Sequence, residues 1–162
     1  MIKYTCEQLT SIALIKIQKI LKKLKENNDI VIKIEFGPVN ANENLAIFQG
    51  QPRNINASSI TMTISDLHDI EPPRQMQKWN ATLTITFIHE YSHFIIFRNM
   101  SIVEREKTNQ KYNESAHYRH KDETDTWNLT IKLLKKLRYH RSTAIRNAME
   151  NFKLPKGFKV KW

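Results

Sequence analysis

An α+β fold is predicted by three observations in this 162-residue chain. Apolar residues recur at helical spacing near the N-terminus, three short β-branched runs follow, and a long apolar segment carries two histidines four residues apart, His89 and His93. One domain over residues 1–162 suits that length, which is sufficient to bury a core.

The elements follow in chain order. Leu9, Ile12, Ala13, Ile17, Ile20, Leu21 and Leu24 repeat with lysines between them, which predicts an amphipathic helix over residues 7–26, ended by Asn27-Asn28-Asp29. Ile30 to Phe36 is β-branched and partly alternating and is stopped by Gly37-Pro38, as a strand would be. Leu45 to Gln49 is a weaker second strand. Ser59 to Ser65, SITMTIS, alternates cleanly and makes a third, a candidate sheet edge for an extended peptide. Pro72 and Pro73 suit the opening turn of a helix.

The stretch that follows reads two ways. Thr82, Thr84 and Thr86 alternate with Leu83, Ile85 and Phe87, as in a strand, but the sequence HEYSH at 89–93 argues for a helix. A strand would hold positions 89 and 93 roughly 13 Å apart. A helix returns to the same face after four residues. Two imidazoles that share one metal ion therefore require a helix from about residue 73 to 99, apolar nearly all round, with its polar edge at Tyr91 and Arg98. Glu90 would lie about 100° from His89. Two histidines and a glutamate among such apolar neighbours are costly unless something satisfies them.

Each letter of HExxH has a chemical reason. His89 and His93 would bind Zn²⁺, one ion per chain, as neutral imidazoles. Glu90, too poorly aimed to ligate, would be the catalytic general base that takes a proton from water activated by the metal. A third protein ligand is needed, and the continuation FIIFRN after His93 supplies none. The segment NESAHYRHKDETDTWN, residues 113–128, offers Glu114, His117, His120, Asp122, Glu123 and Asp125. Trp127, Ile131, Leu134 and Leu137 then recur at helical spacing, so this cluster opens a helix or sits early in one. Tyr118 or Tyr112 is a candidate to stabilise an oxyanion.

The runs TFIHEYSHF, residues 86–94, and DETDTWN, residues 122–128, resemble those of the gluzincins, zinc peptidases whose HExxH helix is completed by a glutamate on a following helix. The likeness is greatest to the small intracellular branch, the minigluzincins and ImmA/IrrE-like peptidases, and covers roughly residues 30–138. It implies a small zincin-like domain: an N-terminal helix, a short three-stranded sheet, an HExxH helix and a ligand-bearing helix. It also implies an endopeptidase acting on an intracellular protein or peptide. By that likeness Glu123 is the third ligand, and Asp125 or Asn128 orients a histidine. The family's usual register would place Lys121 in the ligand position, where it cannot serve. His120 as third ligand would shift the resemblance towards SprT-type DNA-associated proteases, although their His-Gly is missing here.

Charge and composition complete the reading. The net charge is +10, and 10 of the 26 basic residues, against the single acid Glu150, lie in residues 129–162. That predicts a basic C-terminal extension from about 139 to 162, its last ten residues a flexible arm, able to attract nucleic acid. A zinc-stabilised nucleic-acid-binding module without catalysis is the competing functional class. No apolar run approaches the roughly 20 residues of a membrane span. The one cysteine, Cys6, has no partner for an internal disulfide, so a cytoplasmic location is expected. His68 and His140 are read as surface or capping residues, Trp79 and Trp127 as core, and Trp162 as tail.

Overall fold

A computed structural model describes residues 6–25, 30–36, 46–64 and 74–162. The expected features at Gly37-Pro38, His68 and Pro72-Pro73 lie outside the described residues. The fold is α+β, with helices α1 (Cys6–Leu24), α2 (Arg74–Arg98), α3 (Ile102–Glu114), α4 (Ala116–Lys136) and α5 (Thr143–Met149). Its sheet has strands β1 (Val31–Phe36), β2 (Ala46–Gln49) and β3 (Ser59–Ile64). No described helix is long and apolar enough to cross a membrane.

Helix α2 is the axis of the domain. Its threonines do not form a strand because burial around most of the segment favours the helix over β propensity. Ile85, Phe87, Ile88, Tyr91 and Phe94 are all within 2 % of full burial. The hydroxyls that come with them are satisfied by the helix's own carbonyls: Thr84 Oγ1 donates to Asn80 O at 2.7 Å, and Ser92 Oγ to Ile88 O at 2.7 Å. Tyr91, placed on a polar edge by the sequence pattern, is instead wholly buried, its ring stacked on Phe87 at 5.9 Å. Around α2 pack Ala13, Ile17 and Ile20 of α1, Ile60 and Met62 of β3, Leu134 of α4 and Ile145 of α5.

Strand order differs from chain order. β3 lies in the centre, parallel to β1 (Val31 beside Ser59 through Phe36 beside Ile64) and antiparallel to β2 (Ala46 beside Met62 through Gln49 beside Ser59). The expectation of a free edge at Ser59–Ser65 is therefore corrected. Both sides of β3 are paired, and β2 is the edge strand that runs beside α2. A glycine permits that approach: a β-carbon on Gly50 would sit 2.6 Å from the Phe97 ring.

Two further helices, α3 and α5, are set by their caps. α3 buries no residue and is fixed by its ends and polar contacts. Ser101 and Glu104 form a reciprocal cap. Arg105 donates to Phe97 O, Arg98 O and Pro52 O at 3.0, 2.7 and 3.1 Å, tying α3 to the end of α2 and to the turn after β2. α5, inside the stretch read as a basic extension, starts at Ser142, whose Oγ accepts from Ile145 N–H, and buries Ile145, Ala148 and Met149. His140 is half-buried, its Nδ1 without a hydrogen-bond partner among the described residues. Trp79 is half-buried against the core, and Trp162 is 38 % exposed.

The last ten residues are not an arm. Leu154, Phe158 and Val160 pack against the core cluster, and Lys161 O accepts from Lys135 Nζ at 3.2 Å. Deleting residues 153–162 should therefore cost about 2–4 kcal/mol of stability, for three half-buried apolar side chains. Urea unfolding of the full-length and truncated chains measures this; a loss under about 0.5 kcal/mol would mean the segment is free in solution.

Candidate metal centre

The site lies where α2 and α4 cross beneath β2. His89 and His93 project from one face of α2, their ring centroids 4.9 Å apart and nearly perpendicular. Glu123, on α4, meets both: Oε2 lies 3.3 Å from His89 Nε2 and Oε1 lies 3.3 Å from His93 Nε2. One ligand atom from each of the three residues falls within 4.8 Å of the others, close enough to hold one metal ion.

Hydrogen bonding fixes which ring nitrogens face the carboxylate. Thr126 Oγ1 donates to Asp122 O at 2.8 Å, and Thr130 Oγ1 to Thr126 O at 2.8 Å. Each hydroxyl has one proton, so what remains for a neighbour is lone pair. Those lone pairs face His93 Nδ1 at 3.1 Å and His89 Nδ1 at 3.4 Å, and Asp122 Oδ2 lies 3.5 Å from His93 Nδ1. The partners thus assign N–H to both Nδ1 atoms and leave both Nε2 lone pairs aimed at Glu123. A lone pair facing a carboxylate is repulsive unless a cation lies between them. Two protons would make both buried imidazoles cationic, whereas one divalent ion serves both.

The close approach of the three groups shifts the titration of each. Burial pushes the His89 pKa down. Burial also opposes charge on His93, but Glu123, Glu90 and Asp122 outweigh it and the net shift is upward. Glu123 is held well below the usual carboxylate range: burial would raise it, and the two imidazoles more than reverse that.

Glu90 points into the same cleft. Its Oε2 accepts the Phe48 backbone N–H of β2 at 2.7 Å, and Oε1 has no hydrogen bond among the described residues. Burial pushes its pKa up to about 7, against the lowering effects of His93 and the Phe48 N–H. Phe48 also lies parallel to His93 at 6.5 Å, and Trp127 covers His89 at 4.2 Å. The cleft, about 1260 Å³, is lined by β2 from Ala46 to Gln49, by Thr86, Glu90 and Trp127, and by Tyr112 of α3. Thr86 Oγ1 is buried there without a hydrogen-bond partner among the described residues.

The other candidates are placed elsewhere. His120 is exposed, its Nε2 3.4 Å from Lys156 O. His117 and Glu114 are exposed on the outer side of the α3–α4 corner. Asp125 and Asn128 are exposed on α4, so neither orients a histidine; Thr126, Thr130 and Asp122 do. Tyr118 meets Thr108 Oγ1 at 3.0 Å between α3 and α4 and does not itself line the cleft. The tyrosine at the site is Tyr112, whose hydroxyl donates to Glu123 Oε1 at 3.2 Å. Sequence reasoning missed the two threonines, although helical spacing from Glu123 by three and seven residues selects both.

Thr126→Val and Thr130→Val keep side-chain shape but remove the acceptor. Each should weaken metal binding about tenfold or more, read by competition with a chromophoric chelator. Asp125→Asn and Asn128→Ala should leave affinity within about twofold. Equal affinity in all four variants would contradict the assigned tautomers.

No protein-family model matches the chain, and neither a curated protein nor a solved structure matches it.

Proposed function

We propose that the chain is a zinc-dependent metallopeptidase that hydrolyses peptide bonds of a protein or peptide. The compartment inferred from the lone Cys6 is intracellular. The observation that carries this reading is the placement of Glu90. A half-buried carboxyl with one oxygen held by Phe48 N–H and the other without a hydrogen bond among the described residues stands beside the His89, His93 and Glu123 donor set, in an open cleft.

Two nitrogens and one carboxylate oxygen suit zinc, and three protein ligands with a side open to the cleft suit a catalytic rather than a structural ion. Bound there, zinc would supply polarisation of a carbonyl and acidification of water. Glu90 does the proton work. With a pKa near 7 its carboxyl group exchanges a proton readily at neutral pH: Oε1 accepts a proton from the attacking water and returns it to the leaving amine nitrogen. Phe48 N–H keeps Oε2 fixed, so the carboxyl does not swing away between the two transfers. The edge strand β2 offers an extended substrate a backbone to lie beside. The three-histidine arrangement is not favoured, since His120 faces Lys156 O. A non-catalytic zinc module is not favoured either, because it has no use for Glu90 in the cleft.

Glu90→Gln should retain stoichiometric zinc while peptide hydrolysis falls by about 10²–10⁴-fold, measured by metal analysis and a quenched-fluorescence peptide library. Activity within a few-fold of the unchanged chain would show that Glu90 is not the base. Removing the ion with a chelator should abolish hydrolysis and lower the melting temperature, with zinc restoring both. A melt insensitive to chelator and zinc would count against a resident ion.

A further inference from the structure

Two stretches far apart in sequence carry basic residues and no acid. Residues 11–25 contain five lysines and residues 129–149 contain six lysines and arginines, with no aspartate or glutamate in either stretch. Protein surfaces ordinarily mix the two signs. The fold brings these stretches together at Tyr139, in the turn between α4 and α5. Lys16 Nζ lies 5.0 Å and Lys23 Nζ 5.5 Å from the centre of the Tyr139 ring. Lys16, Lys19 and Lys23 share one face of α1, and Arg138 and Arg141, both exposed, lie in the same turn as Tyr139.

Among the described residues the like charges are unrelieved. Lys16 is half-buried, and its ammonium is disfavoured first by burial and then by Lys23 and Lys19. No carboxylate among the described residues pairs with any of these five cations. Lys16 to Lys23 spans about 10.5 Å of helix axis, over which one strand of a duplex presents about three phosphates. None of the five lines the cleft.

We infer that the lysine face of α1 and the Arg138–Arg141 turn form one surface that binds the phosphate backbone of a nucleic-acid duplex without reading its sequence. Bound phosphates replace the missing counter-charges of Lys16, Lys19 and Lys23 and release condensed ions from the duplex. An anionic membrane fits less well. An interfacial helix inserts its apolar face, and α1 has committed Ala13, Ile17, Ile20, Leu21 and Leu24 to the core. The surface is also not the C-terminal segment alone, since half of it comes from α1.

The test is fluorescence anisotropy of a labelled 20-base-pair DNA duplex, of about 20 pairs to exceed the patch, titrated with the full chain across a salt series. Replacing Lys16, Lys19 and Lys23 together by glutamine should weaken binding about tenfold or more and reduce the salt slope by about 2–3, since each phosphate contact contributes about 0.9. Replacing the exposed Lys107, Lys121 and Lys159 removes the same charge elsewhere and should change affinity less than threefold, while arginine at positions 16, 19 and 23 should preserve it. If the glutamine triple fails to fold, Arg138→Gln with Arg141→Gln carries the test with the same expectation. Equal losses from both glutamine triples, no binding of the duplex at low salt, or binding of anionic vesicles without the duplex would each overturn the inference. Hydrolysis does not enter any readout, so the outcome is independent of the peptidase proposal.

Discussion

The site depends on the desolvation of two imidazoles and a carboxyl on a helix that the fold buries along most of its surface. His89, Glu90 and His93 would be expensive in that position if left unpaired. Their partners come from two other elements: Glu123, Thr126 and Thr130 on α4, and the Phe48 N–H on β2. The crossing of α2 and α4, and the edge strand that lies against α2, are thus coupled to the polar groups as firmly as to the apolar core. Glu123 and Thr126 sit at the crossing, and Leu134 two turns further on packs into the core, so one helix face serves both.

The threonines show how a helix can set the tautomer of a distant ring. A threonine within a helix commonly donates to the carbonyl four residues back, a habit that leaves its lone pairs facing outward. On α4 this happens twice, one turn apart, opposite two histidines one turn apart on α2. The two helices therefore match in period as well as in chemistry. What faces Glu123 is a pair of Nε2 lone pairs, and the group that suits two lone pairs and a carboxylate is a divalent cation.

Much of the fold was legible in the sequence because it rests on local pattern. The bounds of α1, β1, β2, β3 and α2 lie within one or two residues of those read from apolar spacing, and the His89–His93 spacing decided helix against strand for α2. What was not legible depends on long-range pairing or on polar contacts. SITMTIS carries the same alternation whether at an edge or in the centre, and only the pairing with both β1 and β2 places it. α3 buries nothing, so no apolar period announces it; its one local signal is the Ser101–Glu104 spacing. The lysines of residues 153–161 drew the reading towards a free arm and masked Leu154, Phe158 and Val160 between them. Within the site, Asp125 and Asn128 were expected beside the histidines from a resemblance, while counting three and seven from Glu123 gives the residues that are there.

The central claim is that His89, His93 and Glu123 hold one metal ion with Glu90 beside it. Anomalous diffraction from crystals of the full chain grown with zinc, recorded on both sides of the zinc absorption edge, tests it most directly. The account predicts one strong peak per chain at about 2.0–2.3 Å from His89 Nε2, His93 Nε2 and a Glu123 oxygen, with Glu90 close by but not bound to the ion. A peak ligated by His120 in place of Glu123, or the absence of any peak between the three residues, would contradict it.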